Sequence, residues 1–159
     1  MIVLDTTYFL PIVGIGVKHD FFSALERNEI FVDPREIYLS EITLFEIQAK
    51  AAKLGVPPRR VAEGIEAIKE AFNVIPFYEP EIIRISFKLR RIFPDYIDCI
   101  ILATAISRKY TLLTEDSDIH SNKQAILIEI SDKKVDILNL TKLKEMFNNR
   151  LPDGKFNFL

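Results

Sequence analysis

Two aspartates follow short apolar runs, at positions where a carboxylate could meet a ligand. Asp5 ends the run from Ile2 to Leu4, and Asp116 follows the run from Leu112 to Thr114 by two positions. In an open parallel sheet, ligands gather beyond the carboxyl ends of the strands, near the point where the strand order reverses. Two separate strands would therefore bring a carboxylate to the same edge. Each aspartate taken alone also fits a turn former or a helix cap, so that local interpretation stays open.

A third acidic residue, Asp98, lies at the start of a helix that is apolar nearly all round. A helix of that kind is buried, and a carboxylate at its mouth needs a partner. The alternative is local: Asp95 caps the helix and Asp98 is its third residue, where an acid bonds a free amide and suits the helix dipole.

The helix predicted over Glu41 to Leu54 carries a fourth candidate, Glu46, in a wedge between two apolar arcs. Thr43, Lys50 and Lys53 share that wedge. A contact between Glu46 and Lys50, four residues apart, is routine on a helix surface and is worth a few tenths of a kcal/mol. Spacing alone therefore leaves both interpretations open.

Four carboxylates drawn together would make a site for a divalent cation, because hard oxygen ligands suit Mg²⁺ and Mn²⁺. Without a cation they repel one another: two unit charges about 4 Å apart cost roughly 4 kcal/mol at an effective dielectric constant of about 20. A metal bound there can activate water and stabilise the charge on a phosphodiester during in-line attack. The residue types therefore suit metal-dependent hydrolysis.

Short apolar runs alternate with helical patterns along the chain. The predicted strands are Ile2–Leu4, Ile37–Leu39, Val74–Phe77, Leu112–Leu113 and Ile126–Ile130. The predicted helices are approximately Asp20–Asn28, Glu41–Leu54, Arg59–Phe72, Pro80–Ile92, Tyr96–Lys109 and Lys142–Phe147. Ser40 is expected to cap the second of them. Strands that are apolar on both faces and alternate with helices predict an α/β fold, with a central parallel sheet covered by helices on both sides.

The composition is that of one globular domain. Of the 159 residues, 48% are hydrophobic and 28% charged, which excludes a disordered chain. The net charge of -2 gives no overall cationic field for nucleic acid or a membrane, so a polyanion would have to be met locally. One cysteine and two histidines exclude an internal disulfide and a zinc knuckle, and this usage favours a reducing cytoplasm.

No apolar stretch approaches the ~20 residues that span a bilayer. The longest, Ile97 to Ile106, is interrupted by Asp98. The N-terminal run from Met1 to Asp5 has no basic segment before it and no cleavage site after it, so it is expected to be a strand rather than a secretory signal. We therefore expect no membrane association.

Four segments share their residue types, order and spacing with one known family. They are Ile2 to Thr6, Ser40 to Ile47, Asp98 to Ala105 and Leu112 to Asp118. On these segments the sequence resembles a PIN domain of the VapC type, the metal-dependent ribonuclease toxins of prokaryotic toxin–antitoxin pairs. The resemblance covers roughly residues 1 to 130. Cys99 departs from it, because the family usually has a small residue there.

The resemblance implies a three-layer PIN-like domain with an acidic quartet that is both catalytic and metal-binding. The quartet would be Asp5, Glu46, Asp98 and Asp116, with Thr6, Thr114 and Asp118 in supporting positions. It further implies an endonuclease that uses Mg²⁺ or Mn²⁺ to hydrolyse phosphodiester bonds in single-stranded RNA. Water positioned by metal would make a covalent nucleophile unnecessary.

Contacts with the substrate require basic residues near the acidic edge. We expect Lys50, Lys53, Arg59 and Arg60 to supply them, because they lie on and just beyond the helix that carries Glu46. Each is also an ordinary solvated side chain by its sequence context. By analogy with the family, the partners would be a second copy of the chain and a small antitoxin protein.

Competing interpretations remain. The same fold could serve as an RNA- or protein-binding module with little activity, or as a housekeeping RNA-processing nuclease. A phosphatase of the haloacid-dehalogenase type is disfavoured, because Thr7 stands where that class has a second aspartate. Thiol catalysis is disfavoured too, because Cys99 lies in an apolar helix and is expected to be a small core residue.

Two further segments have no assigned role. Residues 1–147 are predicted to form a single domain, and residues 148–159 an irregular tail. The apolar loop from Pro11 to Val17 and the tail residues Phe156 and Phe158 either contact partners or pack on their own domain.

Overall fold

The computed structural model describes residues 1–131 and 133–149. Its strands are β1 (Ile2–Leu4), β2 (Ile37–Ser40), β3 (Asn73–Ile75), β4 (Thr111–Leu113) and β5 (Ile137–Leu138). Its α-helices are α1 (Phe21–Glu26), α2 (Glu41–Lys53), α3 (Pro58–Ala71), α4 (Pro80–Leu89), α5 (Tyr96–Arg108), α6 (Ser117–Ser121), α7 (Lys123–Ile130) and α8 (Leu140–Asn148). Two 3₁₀ helices are η1 (Thr6–Val13) and η2 (Pro34–Glu36). Positions 150–159 of the predicted tail lie outside the described residues.

The strands form one parallel sheet in the order β3-β2-β1-β4-β5. After β1 the chain builds the sheet in one direction through β2 and β3, then crosses to the other side of β1 to form β4. The strand order therefore reverses beside β1, where open α/β sheets bind their ligands. Leu4 pairs with Leu113, and the Asp5 amide donates to the Leu113 carbonyl at 3.0 Å. This register brings the ends of β1 and β4 together.

Helices cover both faces of the sheet, as strands that are apolar on both sides require. Val3 faces the core formed with α4, α5 and α7, whereas Ile2 and Leu4 face the core formed with η1, α1, α3 and α8. Successive side chains of a strand point to opposite faces, so β1 contributes to both cores. The predicted α/β architecture with a central parallel sheet is confirmed.

The predicted strand Ile126–Ile130 is wrong, because these residues belong to α7. Ile126 and Ile130 are buried, whereas Leu127 and Ile128 between them are 43% and 68% exposed. Burial at positions four residues apart is helical spacing, and the β-branched residues concealed it. The fifth strand is instead the two-residue β5. No helix of the described residues is long and apolar enough to cross a membrane.

The six predicted helices are present, with ends within three residues of the prediction. No sequence pattern predicted η1, which includes Pro11–Val13 of the expected apolar loop and is capped by Gly14, with φ at 87°. Ser40 lies at the N-cap of α2, but it makes no capping bond and its hydroxyl has no partner among the described residues. Ser40 is also the last residue of β2, and its pairing with Ile75 fixes its backbone.

Candidate active site

Asp5 lies where β1 passes into η1, at the centre of the sheet's carboxyl edge. Its Oδ1 accepts the Thr6 amide at 2.7 Å, which caps η1. Its Oδ2 accepts the Thr114 hydroxyl at 2.6 Å. Burial and the nearby Glu46 carboxylate raise the pKa of Asp5, against the lowering effect of these hydrogen bonds and of Lys50. The local role as a helix cap therefore coexists with a place among other carboxylates.

Glu46 reaches the same place from α2. Its Oε2 accepts the hydroxyl of Thr6, and its Oε1 lies 2.8 Å from the Lys50 ammonium. The predicted pairing with Lys50 is thus present, yet the Glu46 side chain is only 17% exposed. Thr6 holds Asp5 with its amide and Glu46 with its hydroxyl, so one residue ties two of the predicted ligands together.

Asp98 lies in the first turn of α5, but the helix is capped by Asp95, which accepts the Ile97 amide at 2.8 Å. Within 1–131 and 133–149, no hydrogen bond or ion pair reaches the Asp98 carboxylate. Burial raises the pKa of Asp98 to about 7, and four carboxylates add to the rise: Asp95, Asp5, Asp116 and Glu46. The other three carboxylates of the predicted quartet therefore all raise the pKa of Asp98.

Asp116 begins α6 as its cap, accepting the amides of Asp118 and Ile119 at 2.7 and 3.2 Å. Its own amide donates to the Thr114 hydroxyl oxygen at 3.1 Å. Because that hydroxyl also donates to Asp5, Thr114 links the ends of β1 and β4. Asp118 contributes its backbone amide, and its side chain is exposed.

The structure therefore brings Asp5, Glu46, Asp98 and Asp116 into one electrostatic neighbourhood from four different elements. Across the described residues, however, no three Asp, Glu, His or Cys side chains are arranged to hold a metal ion as they stand. Hydroxyls and Lys50 satisfy part of the carboxylate oxygens instead. The donors fit Mg²⁺ or Mn²⁺ by their chemistry, since they are hard oxygens whose mutual repulsion a cation would relieve.

Glu115 is a residue that sequence reasoning missed. Its Oε1 accepts the Tyr8 hydroxyl at 2.6 Å and the Leu140 amide at 2.9 Å, and its Oε2 lies 3.8 Å from His19 Nε2. It thus ties η1, α8 and the loop before α6 to one carboxylate, between Thr114 and Asp116. Tyr8 is buried in η1, and no local pattern connects it with a residue 107 positions away.

Of the predicted basic contacts, Lys50 is the one whose position the structure ties to the acidic residues. Lys53 is exposed in the last turn of α2. Arg59 pairs with Glu63 at 2.7 Å on the surface of α3. The Arg60 guanidinium lies so close to Gly14 that a Cβ there would come within 2.2 Å of it. Cys99 is buried in α5 with a pKa raised by burial to about 11, as expected of a core residue.

Several solved structures are similar to the chain, and they include a toxin–antitoxin complex and a toxin. The chain is similar to a toxin–antitoxin complex from Klebsiella pneumoniae, at 26% identity over 75% of this chain and 90% of that chain, with a TM-score of 0.56. FitAcB from Neisseria gonorrhoeae shares 22% identity over 87% of this chain and 97% of its own, with a TM-score of 0.58. VapC20 from Mycobacterium tuberculosis, a sarcin-ricin loop cleaving toxin, shares 13% identity over 76% of this chain and 94% of its own, with a TM-score of 0.60.

Comparison by sequence identifies the family. No curated protein matches the chain. The model of the PIN domain matches residues 2–124, which include all four acidic residues of the site. The strand order, the parallel sheet and the acidic edge agree with that match. The chain belongs to the PIN domain family.

Proposed function

We propose that this protein is an endoribonuclease that uses Mg²⁺ or Mn²⁺ to hydrolyse phosphodiester bonds in single-stranded RNA, and that it is the toxin of a toxin–antitoxin pair. The observation that carries the proposal is the hydrogen-bonded linkage of the acidic residues: Thr6 joins Asp5 to Glu46, and Thr114 joins Asp5 to the backbone of Asp116. Burial and the nearby carboxylates also raise the pKa of Asp98. Oxygen ligands clustered in this way suit a divalent cation.

Each residue of the site has a proposed task. Asp5, Glu46, Asp98 and Asp116 would hold the metal. A metal bound there would supply an activated water and stabilise the charge on the leaving oxygen. Thr6 orients the carboxylates of Asp5 and Glu46, and the Thr114 hydroxyl donates to Asp5 and accepts the backbone amide of Asp116. The backbone amide of Asp118 donates to the Asp116 carboxylate. Lys50 offsets the negative charge beside Glu46.

The similar structures support the toxin assignment, since one is a toxin–antitoxin complex and another a sarcin-ricin loop cleaving toxin. We accordingly propose an antitoxin protein and a second copy of the chain as partners, and the cytoplasm as the compartment. A small reading frame just upstream of the coding sequence would support the toxin over a housekeeping nuclease. Co-expression and size-exclusion chromatography then test whether its product binds.

Cleavage assays test the nuclease. We expect purified protein to cut single-stranded RNA in Mn²⁺ or Mg²⁺ and to stop in EDTA. Asp5→Asn and Asp98→Asn should lose cleavage while remaining folded by circular dichroism. Asp95→Asn is the matched control, because position 95 is three residues from Asp98 and asparagine can also cap a helix. Full activity in the Asp5 and Asp98 variants would refute the assigned site.

One observation favours a second candidate, a binding module with little activity. The described residues contain no group of three acidic, histidine or cysteine side chains arranged for a metal. Calorimetric titration with Mn²⁺ near neutral pH separates the two candidates. Binding that disappears in Asp98→Asn supports the nuclease, whereas no binding to the unmodified protein supports the module.

A further inference from the structure

A polar cleft of about 320 Å³ lies between α1 and the start of α8. Its lining includes four basic residues, one of them a histidine, and two acidic residues. They are Lys18, His19, Arg27, Lys144, Asp20 and Glu29. None of its lining residues is phenylalanine, tyrosine or tryptophan, so the cleft offers mainly charge and hydrogen bonds to a ligand.

One end of the cleft meets the acidic site. His19 lines the cleft, and its Nε2 lies 3.8 Å from Glu115 Oε2. Glu115 stands between Thr114 and Asp116, and it also holds the first amide of α8 at Leu140. A polymer lying in the cleft would therefore continue toward the carboxyl edge of the sheet.

The acidic residues of the cleft leave its basic residues only partly neutralised. The Asp20 carboxylate is engaged with the Ser23 amide at 3.0 Å, as the cap of α1. Glu29 serves two cations at once, at 2.5 Å from Lys144 and 3.9 Å from Arg27. Lys18 is exposed and makes no ion pair within the part of the chain that the structure describes.

The contacts of Glu29 indicate the kind of group that this part of the cleft can bind. Its carboxylate sits between an arginine and a lysine, which is the arrangement that an anionic oxygen of a ligand would adopt. A phosphate group can replace it, since phosphate oxygens accept from the same donors. Glu29 would then compete with a bound polyanion.

We propose that the cleft between α1 and α8 binds the phosphate backbone of single-stranded RNA beside the acidic site. The choice of RNA rests on the proposed function, whereas the anion-binding character rests on the cleft. Contacts of this kind position the strand without reading its sequence. The lining residues of the cleft are distinct from the predicted contacts on α2 and α3, so they would add to the number of residues that hold the RNA.

Binding to fluorescein-labelled oligouridine, followed by anisotropy in EDTA over a series of salt concentrations, tests the cleft without cleavage. We expect Lys18→Ala and Lys144→Ala each to weaken binding about two- to fivefold, and to lower the salt slope by about 0.7. Glu29→Gln should tighten binding and steepen the slope. Lys69→Ala and Glu66→Gln are matched controls, because that exposed pair, at 3.2 Å, is absent from the cleft lining and lies in the second half of α3, beyond the first turn that carries Arg59 and Arg60.

The outcomes separate this inference from the nuclease. Unchanged binding in all three cleft variants, or no binding by the unmodified protein, overturns the cleft as an RNA site. Changes of the expected sign in a protein that never cuts RNA uphold the cleft and refute the nuclease. Equal effects in the α3 controls would show a general loss of charge and overturn the proposal.

Discussion

The Thr114 hydroxyl donates a 2.6 Å hydrogen bond to Asp5 Oδ2 across 109 residues of sequence. Thr114 is fully buried, and the same oxygen accepts the Asp116 amide at 3.1 Å. One hydroxyl therefore sets the orientation of a carboxylate at the end of β1 and the path of the backbone that leads to the next one. The two aspartates are not independent features of the site.

Thr114→Val removes this hydroxyl at nearly constant volume. We expect RNA cleavage to fall and the free energy of unfolding to drop by about 1–3 kcal/mol, because Asp5 loses a charge-assisted hydrogen bond. Urea unfolding and cleavage rates measure the two effects. Thr104→Val is the control: Thr104 is also buried, but its hydroxyl bonds the Ile100 carbonyl within α5. Equal loss of cleavage in both variants would contradict a specific role for Thr114.

Asp98 gives the metal-free protein a pH dependence of definite sign. Its pKa rises from 3.8 to about 7 on folding, so the folded state holds a proton that the unfolded state releases. Stability then falls as the pH rises through this window and is constant above it. Asp98→Asn should therefore be more stable than the unmodified protein at pH 8 in EDTA, by at most a few kcal/mol, and similar at pH 4.

Thermal melts at the two pH values check this expectation. Asp33→Asn serves as a control of opposite sign, because hydrogen bonds from Arg35 lower the pKa of Asp33 to about 2. That carboxylate stabilises the fold once it is ionised, so its removal should lower the melting temperature at neutral pH. If Asp98→Asn melts no higher than the unmodified protein at either pH, burial of a charge at this position would be contradicted.

The strand-end aspartates show why part of the site could be predicted from sequence. Asp5 and Asp116 each follow an apolar run, and a parallel sheet gathers its strand ends at one edge. For Glu46 and Asp98 the local pattern fitted a surface pair and a helix cap equally well. It was the family resemblance that placed these two in the site.

Other features depend on contacts that no local pattern contains. The strand predicted over Ile126–Ile130 failed because a short run rich in isoleucine fits a helix as well as a strand. These residues form a helix rather than a strand because a helix lets Ile126 and Ile130 pack into the core beside α4. The bond between Tyr8 and Glu115 exists only after η1 and the loop following β4 meet.

Lys50 pairs with Glu46, so it would compete with a cation for that carboxylate. Its ammonium lies 2.8 Å from Glu46 Oε1, and its charge also lowers the pKa of Asp5. We expect Lys50→Gln to bind Mn²⁺ more tightly in a calorimetric titration, because a positive charge has been removed from the carboxylates. Lys53 is exposed and lies three residues after Lys50 on α2, so Lys53→Gln should leave the affinity for Mn²⁺ unchanged. Weaker Mn²⁺ binding in Lys50→Gln would instead mean that Lys50 is needed to orient Glu46.

Glu115 is expected to stabilise the fold beside the site, because it connects η1 to the start of α8. Glu115→Ala leaves the buried Tyr8 hydroxyl and the Leu140 amide without their acceptor, so unfolding should become easier by about 1–3 kcal/mol. Glu115→Gln keeps a carbonyl oxygen for both donors and should lose less. Urea denaturation ranks the variants, with the exposed Glu70→Ala as the control. If Gln and Ala cost the same, the charge of Glu115 rather than its two hydrogen bonds would be what matters, and the nearby His19 would be its essential partner.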